Sequence, residues 1–506
     1  MSFRLIITAT LIGVFSVLAT FLLQGTAGFS LWDEGFLWYG VQAVQRGEIP
    51  VRDFWSYDPG RYYWSAFLAF GRTDIMAVRT TAMLFQLLGV VVGLICLAKS
   101  ASRATIVALL LSSLTLVLWM FPRHKFFDAS ASLILIGVLT FTLHAPNLRR
   151  YFIAGLTIGL IALIGKNHGA YGLAAFLSMQ LWIGVLPLSL LLKRVVVFGL
   201  GVAVGYLPLV LQILFLPGYW QAFKESILIF FELKRTNIPL PVPWPWLVSL
   251  NGSSIFDALP QLGTGIFLVL LPVFSVGSLS YLVACLLRKK KAPPVLVASA
   301  ILSVPYTQYA FSRADVGHLA LSIFPLLIGG LAIISRLQNG ILRHVLLVVV
   351  FVVSLLVMGP IQPGWQALKG RWPITKVNNE ELYIEPRVAA EINLLTELEH
   401  AYAEGNRSFL AMPFWPGAFA LFNRQAPVWE IYSINPKGEA FQQQELDRLR
   451  RANPAYVLLV DLPLDGREDL RYAATHPVIY GYIRDNFRRM PIEAPYELFV
   501  DPKLSR

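Results

Sequence analysis

The chain has 506 residues, of which 56% are hydrophobic and 14% charged, and its mean hydropathy is +0.60. A soluble enzyme is less apolar and more charged, and long uncharged runs recur along most of the length, so the composition is that of a polytopic helical membrane protein. The net charge of +12 does not imply nucleic acid: residues 366–506 carry 17 basic and 19 acidic residues, leaving 25 against 11 in residues 1–365, where the excess reports orientation.

Runs long enough to cross the hydrocarbon fall at 5–24, 74–98, 104–120, 129–144, 150–165 and 172–192. Others follow at 195–217, 261–287, 295–311, 317–335 and 344–360, giving about eleven transmembrane helices. The first run follows Arg4 and has no small-residue cleavage site, so it reads as a retained span rather than a signal peptide. Runs 129–144 and 150–165 are short, which predicts oblique or partly re-entrant helices. Cys96 and Cys285 sit inside apolar runs and read as small buried hydrophobes, not as a disulfide or metal pair.

Alternate connections contain Arg4; Lys99 and Arg103; Arg149 and Arg150; Lys193 and Arg194; Arg288 to Lys291; and Arg336 and Arg343. That set holds 13 basic residues and no acidic one, while all 11 acidic residues of the membrane part fall on the opposite side. The positive-inside rule then puts the amino terminus in the cytoplasm, and an odd number of spans puts the carboxyl-terminal domain outside. The expected location is a bacterial inner (plasma) membrane.

The first outer connection, about 25–73, contains Leu31-Trp32-Asp33-Glu34-Gly35 and then Asp53-Phe54-Trp55-Ser56-Tyr57-Asp58-Pro59-Gly60-Arg61. Residues Phe36 to Val44 form an amphipathic stretch suited to lying along the interface. The second connection is Arg123-His124-Lys125, with Asp128 as the chain re-enters, and the third is Lys166-Asn167-His168. The fourth, about 218–260, spaces Trp220, Phe223, Ile227 and Phe231 as a helix does, then clusters proline and tryptophan at headgroup level. The fifth is Arg313-Ala314-Asp315-Val316-Gly317-His318.

After Pro363 the texture changes. Residues 386–404 and 438–451 read as helices, and 408–413, 456–460 and 497–500 as strands, with no nucleotide fingerprint. The expected division is a membrane-embedded domain over 1–365, including the acidic outer loop 25–73, and a small extracytoplasmic soluble α/β domain over 366–506. Asn251-Gly252-Ser253 and Asn406-Arg407-Ser408 match the glycosylation sequon at a frequency chance supplies.

Outer loops are wet, and any one of these charges is as readily a solvated group as a working one. The set is more informative. Asp33 and Glu34 are flanked by Trp32, Phe36, Trp38 and Tyr39, which partly desolvate them, and Pro59-Gly60 is a rigid turn that fixes Asp58. Basic and histidine groups stand at the outer ends of several spans, where ionisable residues usually line a working cavity. Such a set suits inverting transfer of a sugar from a phosphate leaving group: a carboxylate takes the acceptor hydroxyl's proton, and cations hold the departing phosphate. Arg61, Lys166, His168, Arg313 and His318 are available for the phosphate. The cytoplasmic side bears only basic residues, so a lipid-linked donor fits better than a nucleotide sugar, and no nucleotide cofactor is expected.

The early Asp-Glu loop, the turn Tyr57-Asp58-Pro59-Gly60-Arg61, Asp128, Lys166 with Gly169, and the Arg313…His318 pair before Pro325 together resemble the GT-C superfamily. These are integral-membrane glycosyltransferases, and the likeness is to the protein O-mannosyltransferase and aminoarabinose-transferase-like branch. The resemblance covers most of residues 1–365. It implies a polyprenyl-phosphate-sugar donor, an extracytoplasmic site, and Asp33 as general base, with Glu34 and Asp58 supporting the acceptor, the sugar or a metal. One proline stands where family members often have two, and the late motif departs from a simple Arg-Tyr. Need for a divalent metal is left open, as are a hexose or pentose donor and a protein, lipid or glycan acceptor. Two rival readings are a transporter or flippase of lipid-linked sugars and an inactive membrane scaffold; acids at outer helix ends and the lack of repeated halves argue against the transporter.

Overall fold

A computed structural model describes residues 3–102, 105–184, 187–233, 237–248 and 255–504; Arg103 and the Asn251-Gly252-Ser253 match lie outside the described residues. The apolar runs fall on helices, though 317–335 holds two and 172–192 covers the end of helix Lys166–Ile183 and the start of helix Leu188–Phe215. Among the described residues, seven helices are long and apolar enough to cross a membrane, and counting the bent pair Val316–Ser322 and Phe324–Ser335 as one span makes eight. The chain is an integral membrane protein. The count is below the expected eleven because Ile106–Trp119 has 14 residues and Leu148–Ile164 has 17, both under a full crossing at 1.5 Å per residue, while Lys166–Ile183 begins with a lysine and a histidine.

Of the two short runs, 129–144 is longer in the structure than its apolar residues alone suggest. A 3-10 turn at Arg123–Lys125 leads into helix Phe126–His144, and together they make a 22-residue span. A 54° bend separates helices Val316–Ser322 and Phe324–Ser335, next to Pro325. Proline at the start of a helix has no N–H to bond to the preceding turn, so the break forms there.

The chain divides into two compact units: residues 1–25 with 82–366, and residues 26–81 with 367–506. The first outer loop, which the sequence reading groups with the membrane domain, clusters with the carboxyl-terminal residues.

In the first unit, helix Pro294–Ser312 packs on helices Phe126–His144, Lys166–Ile183, Ile255–Leu287 and Phe324–Ser335. Helices Leu148–Ile164 and Leu188–Phe215 make the closest pairing, through Gly155 and Gly159 on one and Gly201 and Gly205 on the other. A Cβ at Gly155 would lie 2.0 Å from the Phe198 carbonyl oxygen, and one at Gly201 would lie 2.3 Å from that of Phe152. Each pair is a small-xxx-small spacing, which lets backbones touch where lipid offers no hydrophobic drive. Both cysteines are buried and free.

In the second unit a four-stranded sheet runs in the order β3-β4-β6-β5: β3 is Leu410–Met412, β4 Tyr456–Val460, β5 Arg488–Met490 and β6 Tyr496–Val500. Strands β3 and β4 are parallel and the other two pairings antiparallel. Strand β4 is buried at all five positions, as its unbroken apolar run predicts. A hairpin of β1 (Ile374–Val377) and β2 (Glu380–Tyr383) is joined by Ala27, which bridges to Tyr383. Helices Pro386–Tyr402 and Glu439–Ala452 form where periodicity places them.

Helix Asp33–Gln45 corrects an expectation. Residues Glu34 to Ala43 are all buried, so the stretch read as interfacial is a core helix. It packs on the short helix Pro416–Leu421 at a glycine contact: a Cβ on Gly35 would fall 2.5 Å from the Cα of Gly417. The Gly417 N–H donates to the Leu31 carbonyl at 2.8 Å, and Gln42 reaches the carbonyls of Thr73 and Ala420.

Candidate functional site

In the second unit, Asp33 and Glu34 open the same helix but have different surroundings. Both acids sit in the first turn, where the helix dipole favours negative charge, and the Asp33 N–H donates to the Ser30 hydroxyl at 3.1 Å. Glu34 is 7% exposed and Arg79 1%. Arg79 Nε and Nη2 donate to the two Glu34 oxygens at 2.7 and 2.8 Å, and Nη2 also donates to the Gly28 carbonyl. This is a bidentate buried pair, with a planar fork matched to a carboxylate.

Asp33 is exposed, and Tyr432 donates its hydroxyl to Asp33 Oδ1 at 3.2 Å. The Tyr432 ring stacks on Trp55 at 6.1 Å and meets Phe36 and Phe414, while Trp32 packs on Phe414. The acid therefore stands at the edge of an aromatic cluster drawn from both ends of the sequence. The segment that displays Tyr432 is pinned from several directions. Glu445 accepts from the N–H groups of Trp429 and Glu430, Trp55 N–H donates to the Trp429 carbonyl, and Ser433 N–H donates to Pro413. The buried Glu430 carboxylate meets His476, Lys437 and Ser433.

The rest of the acidic loop is built into the same unit. Asp53 pairs with Arg52 and accepts from Ile49 N–H. Burial alone would raise its carboxyl, but those contacts outweigh burial and hold it below the usual range. Arg61 is 2% exposed with its guanidinium 4.7 Å from the centre of the Tyr57 ring, and Asp58 precedes helix Gly60–Leu68 by two residues.

In the first unit, residues from three of the connections between spans converge. His168, fully buried, bonds through Nε2 to Asp128 at 3.1 Å and through Nδ1 to the Tyr306 hydroxyl at 2.7 Å. Tyr309, one turn on from Tyr306, packs edge-on to His168 at 6.2 Å and meets His318 at 5.9 Å. Asp315 then ties the fifth connection together. Its carboxylate accepts from Arg313 Nε at 2.8 Å, lies 2.9 Å from His318 Nδ1 and caps the helix by accepting from His318 N–H. Burial pushes the Asp315 carboxyl up, yet His318 and Arg313 outweigh it and leave it below its ordinary value. Lys166 begins helix Lys166–Ile183, with its Nζ 3.4 Å from the Ser226 hydroxyl.

Of the residues set aside for phosphate, Lys166, Arg313 and His318 are part-buried, whereas His168 and Arg61 are enclosed. Sequence reasoning gave no role to Arg79, Tyr309 or Tyr432. Arg79 was findable, because a charge inside the apolar run 74–98 requires a buried partner. Nothing near Asp33 in the sequence points to Tyr432. Among the described residues no group of three or more His, Cys, Asp or Glu side chains is arranged to hold a metal ion.

No protein-family model matches the chain, and no curated protein matches it in sequence. Solved structures do. ArnT from Cupriavidus metallidurans, bound to undecaprenyl phosphate, superposes with a TM-score of 0.55 at 12% identity, over 98% of this chain and 98% of that one. The oligosaccharyltransferase of Archaeoglobus fulgidus in its apo form gives 0.48 at 10% identity, over 95% of this chain and 73% of the other. The archaeal oligosaccharyltransferase AglB from Archaeoglobus fulgidus, with an inhibitory peptide and a dolichol-phosphate, gives 0.45 at 11%, over 98% and 74%. The end-to-end likeness shows that this chain shares the fold of ArnT, in line with the fold its sequence resemblance implied.

Proposed function

We propose that the protein is an inverting glycosyltransferase that moves a sugar from a polyprenyl-phosphate-linked donor to an acceptor hydroxyl on the extracytoplasmic side of the membrane. The acceptor oxygen attacks the anomeric carbon, Asp33 takes its proton, the bond from that carbon to the phosphate oxygen breaks, and polyprenyl phosphate leaves. Lys166 and Arg313 hold the phosphate charge, with His318 beside them. Asp315 aims Arg313 and His318, and His168 braces Asp128 and Tyr306. Glu34 anchors Arg79 under the helix that carries Asp33. Asp58 and Arg61 shape the turn after it.

The observation that carries the reading is the contrast between adjacent acids. Glu34 is locked in a buried ion pair, while Asp33 is exposed, oriented by one hydroxyl and set among aromatic rings. A scaffold has no use for a carboxylate held ready in that way. Support for the donor class is the bound undecaprenyl phosphate of ArnT, whose fold this chain shares.

The test is thermal unfolding of the purified protein with added undecaprenyl phosphate. A ligand of the native state raises the melting temperature with concentration. Arg313→Ala should weaken that rise more than it lowers the unliganded melting temperature. No rise in the wild type would remove the donor class, and equal affinity in the variant would remove Arg313.

A further inference from the structure

A second cluster of charge lies at the opposite ends of two helices that serve the proposed site. A slot of about 130 Å³ opens between helices Ile75–Ser100 and Phe126–His144, floored by apolar groups including Ile95, Cys96 and Phe141, with Lys99 and His144 at its rim. It has room for about four times a water's share of liquid volume, enough for several carbons of a chain. Arg150 adds a second cation. Its Nη1 donates to the Phe141 carbonyl at 2.6 Å, and its guanidinium lies 4.2 Å from the centre of the Phe141 ring. The charges of Lys99 and Arg150 both reach His144.

No acid on these elements balances them. Between residues 75 and 224 the sequence has one acidic residue, Asp128. It starts the helix that His144 ends, about 24 Å away at 1.5 Å per residue. Basic groups gathered this way repel one another, and an anion relieves the repulsion. Solvation of exposed side chains accounts for the charges alone. It does not account for an apolar slot opening beneath them, which is the pairing that a phosphodiester headgroup joined to an acyl chain fits.

We infer that this slot binds an anionic phospholipid, its phosphodiester against Lys99 and Arg150 and part of an acyl chain against the Cys96–Phe141 floor. The site is remote from Asp128 and does not depend on the transferase reading.

The experiment is native mass spectrometry of the detergent-purified full chain, titrated with phosphatidylglycerol, with phosphatidylcholine of the same acyl chains, and with inorganic phosphate. Phosphatidylglycerol should be retained in preference to both. Lys99→Gln should weaken it about fivefold, the weight of one lysine at an anionic lipid surface, and Lys99→Arg should restore it. Lys99 is exposed, so neither change disturbs packing, and an unchanged melting temperature checks this. Equal retention of the two lipids, or undiminished phosphatidylglycerol binding by Lys99→Gln, would overturn the proposal and leave solvated surface charge. Displacement of the lipid by inorganic phosphate at equal concentration would overturn it in favour of a simple anion site.

Discussion

The Tyr432 hydroxyl donates to the Asp33 carboxylate at 3.2 Å across 399 residues of sequence. That bond engages Oδ1 of an exposed carboxylate. Tyr432→Phe keeps the ring stacked on Trp55 and removes the donor alone. We expect kcat to fall about fivefold, the weight of roughly one hydrogen bond, with KM for the lipid-linked donor unchanged. A rise in donor KM at constant kcat would place Tyr432 in donor binding instead.

The Glu34–Arg79 pair has another kind of consequence. Removing one partner leaves a charge buried without its counter-ion, so Glu34→Gln or Arg79→Met should each cost about 3–5 kcal/mol. Changing both should cost less than the two changes summed. Denaturant unfolding of the purified variants measures this, and additive losses would mean the two side chains do not act as a unit.

Gly35 and Gly417 make a third case. A methyl at either position meets backbone, which cannot swing aside as a side-chain tip can. Gly35→Ala should destabilise the protein by about 1–3 kcal/mol, read as a drop in unfolding free energy. Gly438→Ala, where nothing lies within 4 Å of the added carbon, is the matched control and should show no clash cost.

Acidification should act in two directions. Burial raises the Glu445 carboxyl, and it does the same for Glu391. The native state therefore binds those protons more tightly than the unfolded chain, and stability rises as pH falls from neutral towards 4.5. Asp53 and Asp315 are held low, so they stabilise the fold above the ordinary aspartate value of 3.8, and that contribution is lost as pH falls below it. Unfolding free energy followed from pH 7 downward should climb and then drop. Glu445→Gln should flatten the climb and leave the drop in place.

Much of this was legible in the sequence because the forces involved are local. Hydrophobic runs located the membrane helices among the described residues, and β4 followed from the apolar run between Pro454 and Asp461. Counting by helix length gives fewer spans than the eleven runs where a helix is short, as at Ile106–Trp119. The Phe36–Val44 stretch was misread because an amphipathic pattern does not say whether its polar groups meet water or protein; Gln42 meets the carbonyls of Thr73 and Ala420. The β1–β2 hairpin was passed over, although Asn378-Asn379 is a turn signal and Asn378 takes the left-handed conformation. At the candidate site, the acids and cations were visible as residue types in order. Their partners were not, because Tyr432 and Asp315 act through tertiary contact and cap geometry that no spacing encodes.

Sugar transfer by Asp33→Asn tests the central claim most directly. Asparagine keeps the shape of the side chain and its reach to Tyr432 but cannot accept the acceptor's proton. With membrane-extracted polyprenyl-phosphate sugars as donor, we expect release of polyprenyl phosphate to slow by about 10²–10⁴-fold, with yield and melting temperature as in the wild type. Release at the wild-type rate would contradict Asp33 as the base.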